Sequence, residues 1–151
     1  LIAVFIPEAS PPDVRIAIFF FIIIFLNKEN VSLYNYIKAN KYTLVSFWAS
    51  WDNNSRTKNI EYLKLYKQYK ANKFNIISVS LDDSKYAWTS AIETDGIGRW
   101  TNVSDLNRWN SAVVKLYNIK SLPYNILLDN QGNILGKNLS LDEIIQIIKK
   151  K

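Results

Sequence analysis

Asp52 and Ser55 are the two residues whose types and spacing most directly invite a chemical interpretation. They stand three positions apart, just after an apolar strand predicted at Thr43 to Ala49 and at the start of a predicted long helix. The first-turn N–H groups of a helix have no intrahelical partner, and the helix dipole makes this end electropositive. A carboxylate at position 52 would accept those N–H bonds, so we predict that Asp52 is a helix N-cap.

Two other uses of these residues have weaker support. A hydrolytic pair of Asp52 and Ser55 would lack the usual general base, because the chain has no histidine. A divalent cation shared by Asp52 with Asp82 or Asp83 has no supporting ligand spacing. We therefore expect no catalytic residue, no metal and no other cofactor.

The composition limits the function classes further. The 151 residues include no cysteine and no histidine, which excludes a disulfide framework, a thiol nucleophile and a thiolate metal site in this chain. Apolar residues make up 48% of the chain, enough for a globular core. The formal net charge of +6 comes from lysines spread over the predicted helices and from a tail, Lys149-Lys150-Lys151. Because the sequence shows neither a compact basic patch nor a known motif, we expect no nucleic-acid partner.

The remaining chain reads as alternating strands and helices. Tyr62, Leu65, Tyr66 and Tyr69 recur at helical spacing and are interpreted as core packing rather than a ligand site. The order predicts an α/β fold, with a central mixed β-sheet flanked by helices. The predicted elements are a short helix or turn at 32–40, a strand at 42–49, a helix at 53–71, a strand at 74–81, a helix at 84–95, a loop at 96–110, a helix at 111–117 ending at Asn118, a strand at 124–128, a turn at 130–133, a returning strand at 134–137 and a helix capped by Ser140.

The first 30 residues form a separate lead-in, and residues 31–151 are predicted to form one globular domain. The lead-in contains an apolar run, Ile16 to Leu26, which is too short to span a bilayer as a helix. Its β-branched and aromatic content favours a buried strand or hairpin. A remnant of a membrane or export segment and an exposed strand that pairs with another chain are the alternatives.

Several motifs together resemble one protein family. They are F-W-A-S-W at 47–51, I-I-S-V-S-L-D at 76–82, V-S-D-L at 103–106, K-L-Y-N-I at 115–119 and S-L-P-Y-N-I-L-L-D at 121–129. The chain from Val31 to Lys150 resembles the thioredoxin-like thiol–disulfide oxidoreductases, especially the TlpA-like and AhpC/TSA-related branch. In these relatives F-W-A-S-W is followed by C-x-x-C-R. Here the two cysteine positions hold Asp52 and Ser55.

The resemblance implies a thioredoxin-like fold and a peptide-binding groove. In the relatives a cis-proline precedes the third core strand, and Pro123 occupies that position. With Trp51, Asp52 and Leu122, this residue is expected to line a groove where an extended peptide can add as a strand. The purely structural interpretation of Pro123 is a rigid turn. Disulfide exchange itself requires thiolates, which this chain lacks.

We therefore expect a redox-inactive family member that binds extended protein segments or serves a structural role. One alternative is the family's own activity, thiol–disulfide exchange, so enzymatic function is left open. Another is an oligomer or membrane contact through the apolar N-terminal segment. By the same resemblance, the expected location is the periplasm or cell envelope.

Overall fold

The computed structural model describes residues 33–150. The lead-in predicted at residues 1–30, including the apolar run at 16–26, lies outside the described residues. In chain order the elements are α1 (Leu33–Lys38), β1 (Tyr42–Trp48), α2 (Asn53–Tyr69), β2 (Phe74–Ser80), α3 (Lys85–Asp95), β3 (Thr101–Ser104), α4 (Ala112–Leu116), β4 (Tyr124–Asp129), β5 (Ile134–Lys137) and α5 (Leu141–Lys149). Short 3₁₀ turns follow α2 at Lys70–Asn72 and precede α4 at Arg108–Asn110.

The five strands form one mixed sheet in the order β3-β2-β1-β4-β5. β1 runs parallel to β2 and antiparallel to β4, and β3 adds parallel to β2. All seven residues of β1 are buried, as expected for a central strand covered on both faces. The predicted α/β fold with a mixed central sheet is confirmed.

The helices pack on both faces of this sheet. On one face α2, α3 and α5 cover Trp48, with Tyr62, Trp88 and Ile144 completing a fully buried cluster. On the other face α1 and α4 cover the remaining core residues, which include Phe47. The tyrosine stripe of α2 is therefore part of the core, as predicted. Among residues 33–150, no helix combines the length and hydropathy that crossing a bilayer requires.

The prediction of a continuous loop at 96–110 is wrong for Thr101–Ser104, which form β3. This strand has only four residues, one of them strongly apolar, so it shows no clear alternation. Its stability comes from pairing with β2, where Val79 lies opposite Val103. The Ser104 hydroxyl adds a hydrogen bond to the Ser80 carbonyl at 3.0 Å. A strand formed by such long-range contacts leaves little local signal.

The ends of α4 and α5 and the turn between β4 and β5 agree with the prediction. Ser140 caps α5 as predicted, and it forms a capping box with Glu143. Asn118 follows α4 with φ of 52°, the left-handed conformation that ends a helix. Gly132 turns the β4–β5 hairpin with φ of 84°, a conformation that glycine adopts without strain.

Candidate functional site

The candidate site lies at one end of the sheet, where β1 and β2 end and β4 begins. Phe47 lies opposite Tyr124 in the antiparallel register of β1 and β4, so the segments on either side of this pair leave the same edge. One segment carries Trp51 and Asp52, and the other carries Leu122 and Pro123. The strand that leads to Trp51 and the strand that follows Pro123 are therefore neighbours in the sheet.

Asp52 is the N-cap of α2, as predicted. Its backbone is extended, with φ of −99° and ψ of 110°, and its Oδ2 accepts a hydrogen bond from the Ser55 N–H at 2.8 Å. The Asp52 carbonyl accepts the first intrahelical bond, from the Arg56 N–H at 3.1 Å. The half-buried carboxylate thus occupies the electropositive helix end.

Ser55 does not form a reactive pair with this carboxylate. Asp52 binds the backbone N–H of Ser55, and the Ser55 hydroxyl has no hydrogen-bond partner among residues 33–150. The Ser55 side chain is also fully buried. A nucleophile requires both an adjacent base and access to substrate, so the arrangement gives no support to the hydrolytic pair.

An ion pair that the sequence did not reveal anchors the start of α2. The Arg56 guanidinium donates to both carboxylate oxygens of Asp95, from Nε at 2.6 Å and from Nη2 at 2.7 Å. Asn59 donates to the same buried carboxylate at 3.0 Å, and Arg56 Nη1 reaches the Ser50 carbonyl at 3.2 Å. The hydrogen bonds that Arg56 donates to Asp95 raise the pKa of Arg56 above its ordinary value. The pair therefore ties α2 to the end of α3 and to the site loop.

Asp82 fixes the other side of the site loop. Its buried carboxylate accepts hydrogen bonds from the Ser50 N–H at 3.1 Å, from the Ser50 hydroxyl and from the Ser80 hydroxyl. The neighbouring Asp83 is instead paired with Arg108 at 3.2 Å on the surface. Within the described part of the chain, no three acidic side chains are grouped so that they could hold a metal ion. Asp82 thus positions the loop between β1 and Asp52.

An aromatic pair covers the rim of the site. Trp51 and Trp109 are each 42% exposed, and their ring centroids lie 6.3 Å apart. The Arg108 guanidinium carbon lies 5.3 Å from the centroid of the Trp51 ring. Trp51 was predicted as a site residue, whereas Trp109 and Arg108 were not, because sequence spacing does not place the loop before α4 against Trp51. Two exposed tryptophans form an apolar surface of the kind used for binding.

The backbone before β4 is open at this edge. The peptide bond between Leu122 and Pro123 is cis, and both side chains are half-buried. Within residues 33–150, no hydrogen bond engages the backbone N–H or C=O of Ser121 or Leu122. Ser121 and Leu122 lie in a bend just before β4, and unpaired backbone groups next to a strand are what an added peptide strand needs.

Comparison with known proteins identifies the family. The sequence profile of the thioredoxin-like family matches residues 40–134. A domain from Bacteroides thetaiotaomicron, described as the C-terminal domain of a thiol–disulfide oxidoreductase, is 36% identical with a TM-score of 0.78, covering 87% of this chain and 89% of that one. A thiol–disulfide oxidoreductase from Bacteroides fragilis is 34% identical with a TM-score of 0.78, covering 87% and 96%. Comparison with curated proteins gives no match.

The shared fold and these identities carry the assignment. The chain belongs to the thioredoxin-like thiol–disulfide oxidoreductase family. It has no cysteine, which is consistent with replacement of both reactive residues by Asp52 and Ser55.

Proposed function

We propose that this chain is a redox-inactive member of its family that binds extended protein segments. The observation that carries the proposal is the contrast between the two halves of the site. Asp52 and Ser55, at the reactive positions, are used as a helix cap and a buried side chain. The Leu122 backbone, at the same end of the sheet, has no hydrogen-bond partner among the described residues.

The chemistry of exchange supports the first half of the proposal. Thiol–disulfide exchange proceeds by attack of a thiolate on a disulfide, through a mixed disulfide that a second thiol resolves. Asp52 and Ser55 offer a carboxylate and a hydroxyl, neither of which forms such an intermediate. Reduction of insulin disulfides by dithiothreitol, with and without the protein, tests this half. The proposal expects no acceleration, and catalysis would restore the family's enzymatic activity as the function.

The geometry of the edge supports the second half. An extended segment gains main-chain hydrogen bonds at Ser121 and Leu122, and these bonds are independent of its sequence. Selectivity comes from the side chains around the edge. The Asp52 carboxylate favours a segment carrying Lys or Arg over one carrying Cys, and Trp51 and Trp109 offer apolar contact. The electrostatic part of this attraction weakens as salt is added.

Fluorescence anisotropy with a panel of short, extended peptides tests the binding. The peptides differ only at a central residue, which is Lys, Arg, Ser, Cys or Glu. We expect the Lys and Arg peptides to bind most tightly at low ionic strength, and the variant Asp52→Asn to lose this preference while retaining the cap geometry. Asp129→Asn, which removes a carboxylate from the far end of β4, is the matched control. Equal affinity for all peptides would contradict selection by Asp52, and no binding at all would leave a structural role.

The expected location also belongs to this proposal. The resemblance of this chain to its relatives supports a location in the cell envelope. Fractionation of cells that produce the protein from its complete native gene, followed by immunodetection, checks this. Recovery in the cytoplasmic fraction alone would contradict it.

A further inference from the structure

Lysines that are scattered in the sequence meet at the end of the sheet opposite the candidate site. This cluster, called the basic edge, consists of Lys41, Lys70, Lys73, Lys149 and Lys150. The Lys41 N–H donates to the Lys73 carbonyl at 2.8 Å, and the Lys73 N–H donates to the Lys70 carbonyl at 3.1 Å. The end of α5 joins them, because the Tyr42 hydroxyl lies 3.4 Å from the Lys150 carbonyl. The fold thus brings the lysine tail seen in the sequence together with Lys41, Lys70 and Lys73, which sequence reasoning did not predict.

The charges of the basic edge are not neutralised by carboxylates. All five lysines are exposed, and none forms an ion pair with a described carboxylate. Asp129 lies opposite Tyr42 in the register of β1 and β4, and is therefore the acidic residue brought to this edge. Its carboxylate is engaged by the Gln131 and Asn133 N–H groups of its own turn, each at 2.9 Å. An excess of positive charge remains at the edge.

Helix stability alone does not explain this patch. Lysines at a helix C-terminus are favoured by the dipole, which accounts for Lys149 and Lys150 at the end of α5. Lys41 lies outside any helix, immediately before β1. Lys73 is the C-cap of the 3₁₀ turn at Lys70–Asn72, so the end of α2 accounts for its charge and for that of Lys70. The helix dipole does not account for Lys41 or for the meeting of three separate chain segments at one place, and a ligand with negative charge would explain both.

We infer that the basic edge docks on an anionic lipid surface, with the candidate site facing away from it. Each lysine close to such a surface contributes favourably, and the contributions of neighbouring lysines add. In lipid-modified proteins one acyl chain together with a polybasic patch gives stable attachment to a bilayer, and an apolar segment beside a basic patch offers the same two kinds of attraction. The apolar run in the sequence ends at Leu26, and six residues separate it from the start of α1 at Leu33. This pairing on one chain favours lipid over nucleic acid as the anionic partner. The inference does not depend on peptide binding.

Vesicle co-sedimentation of the full chain tests the docking. Vesicles of equal parts phosphatidylcholine and phosphatidylglycerol are compared with phosphatidylcholine alone, so that any contribution of the apolar segment is seen in both. We expect tighter binding to the anionic vesicles, and a loss of about fivefold for each lysine replaced in the variant Lys41→Gln, Lys73→Gln, Lys150→Gln. Rising salt should reduce wild-type binding to the anionic vesicles toward the neutral level.

A matched control separates the patch from net charge. The variant Lys85→Gln, Lys115→Gln, Lys120→Gln removes the same charge from exposed lysines elsewhere and should bind nearly as well as the wild type. The inference would be overturned if the two variants lost the same amount of binding to the anionic vesicles. It would also be overturned if the wild type bound equally well to the two kinds of vesicle. Displacement of the protein from the vesicles by a duplex oligonucleotide at equal phosphate concentration would overturn it as well. Circular dichroism confirms that each variant is folded.

The orientation is tested by labelling, because the chain has no cysteine. Asn72→Cys lies within the basic edge and Asn53→Cys lies at the start of α2, and both positions are exposed. Each variant is labelled with an environment-sensitive fluorophore and mixed with the anionic vesicles. We expect a blue shift for the label at position 72 and none for the label at position 53. A shift at 53 without one at 72 would reverse the proposed orientation and contradict it.

Discussion

The Asp52 carboxylate accepts a hydrogen bond from the Ser55 N–H at 2.8 Å, which joins the two positions that hold cysteines in the relatives that the sequence resembles. The contact stabilises the start of a helix where those relatives place reactive sulfur. Replacing Asp52 with Ala should lower the free energy of unfolding by about 1 kcal/mol, the usual loss for a helix N-cap. Urea titration measures the change. Asp52→Ser, which keeps a capping oxygen, is the control and should lose less.

Restoring the sulfur chemistry tests whether the site keeps the geometry of its family. The double variant Asp52→Cys with Ser55→Cys should form an intramolecular disulfide that dithiothreitol reduces, because both positions lie at the α2 N-terminus. The helix end should lower the pKa of the first thiol below its ordinary value. Mass spectrometry after alkylation counts the free thiols, with each single variant as control. A folded double variant that never oxidises would show that the site has diverged from its relatives.

The ion pair between Arg56 and Asp95 should stabilise the folded protein more than the ion pair between Arg108 and Asp83. Asp95 is only 6% exposed, so Asp95→Asn leaves the guanidinium without its carboxylate in a mostly buried setting. Because the Arg56 side chain is 29% exposed, we expect the free energy of unfolding to fall by about 2 kcal/mol, less than when one partner of a fully buried ion pair is removed. Asp83→Asn breaks a pair in which both partners are about half exposed and should cost less than about 1 kcal/mol. Similar losses in denaturant titrations would contradict this ranking.

The capping box of α5 should make stability depend on acid. Hydrogen bonds from the Ser140 N–H and hydroxyl hold the pKa of Glu143 below its ordinary value of 4.5. Because the pKa is lowered in the folded state, this stabilisation is complete when the pH is above the ordinary pKa. It is lost as the pH falls through the folded-state pKa. Glu143→Gln keeps a capping side chain but does not titrate. The wild type should therefore lose its advantage over the variant as pH falls below about 4.5, whereas parallel stability curves would count against the capping role.

Sequence reasoning succeeded where the signal is local. Ser140 with Glu143, Asn118 and the apolar strand before Asp52 each define an element through neighbouring residues. It failed where the stabilising contacts are distant in the chain. β3 depends on pairing with β2, and the basic edge depends on strand register that brings Lys41 beside Lys73.

The same distinction applies to the candidate site. Asp52 was predicted as a cap because a helix start is visible in sequence, whereas the site role of Leu122 and Pro123 was implied by the resemblance to the family. Trp109 was missed because its approach to Trp51 depends on the path of the loop before α4. The partner of Arg56 was missed because it lies on a different helix.

Nuclear magnetic resonance of the isotope-labelled protein, titrated with the extended lysine peptide, tests redox-independent peptide binding most directly. The amide signals of Ser121 and Leu122 and the indole signal of Trp51 should shift together and saturate, while the amide of Asn130 at the far end of β4 stays unchanged. The shifts should be the same with and without dithiothreitol, since no thiol takes part. Unchanged signals at Ser121 and Leu122 at saturating peptide, or shifts that appear only at Asn130, would contradict binding at this edge.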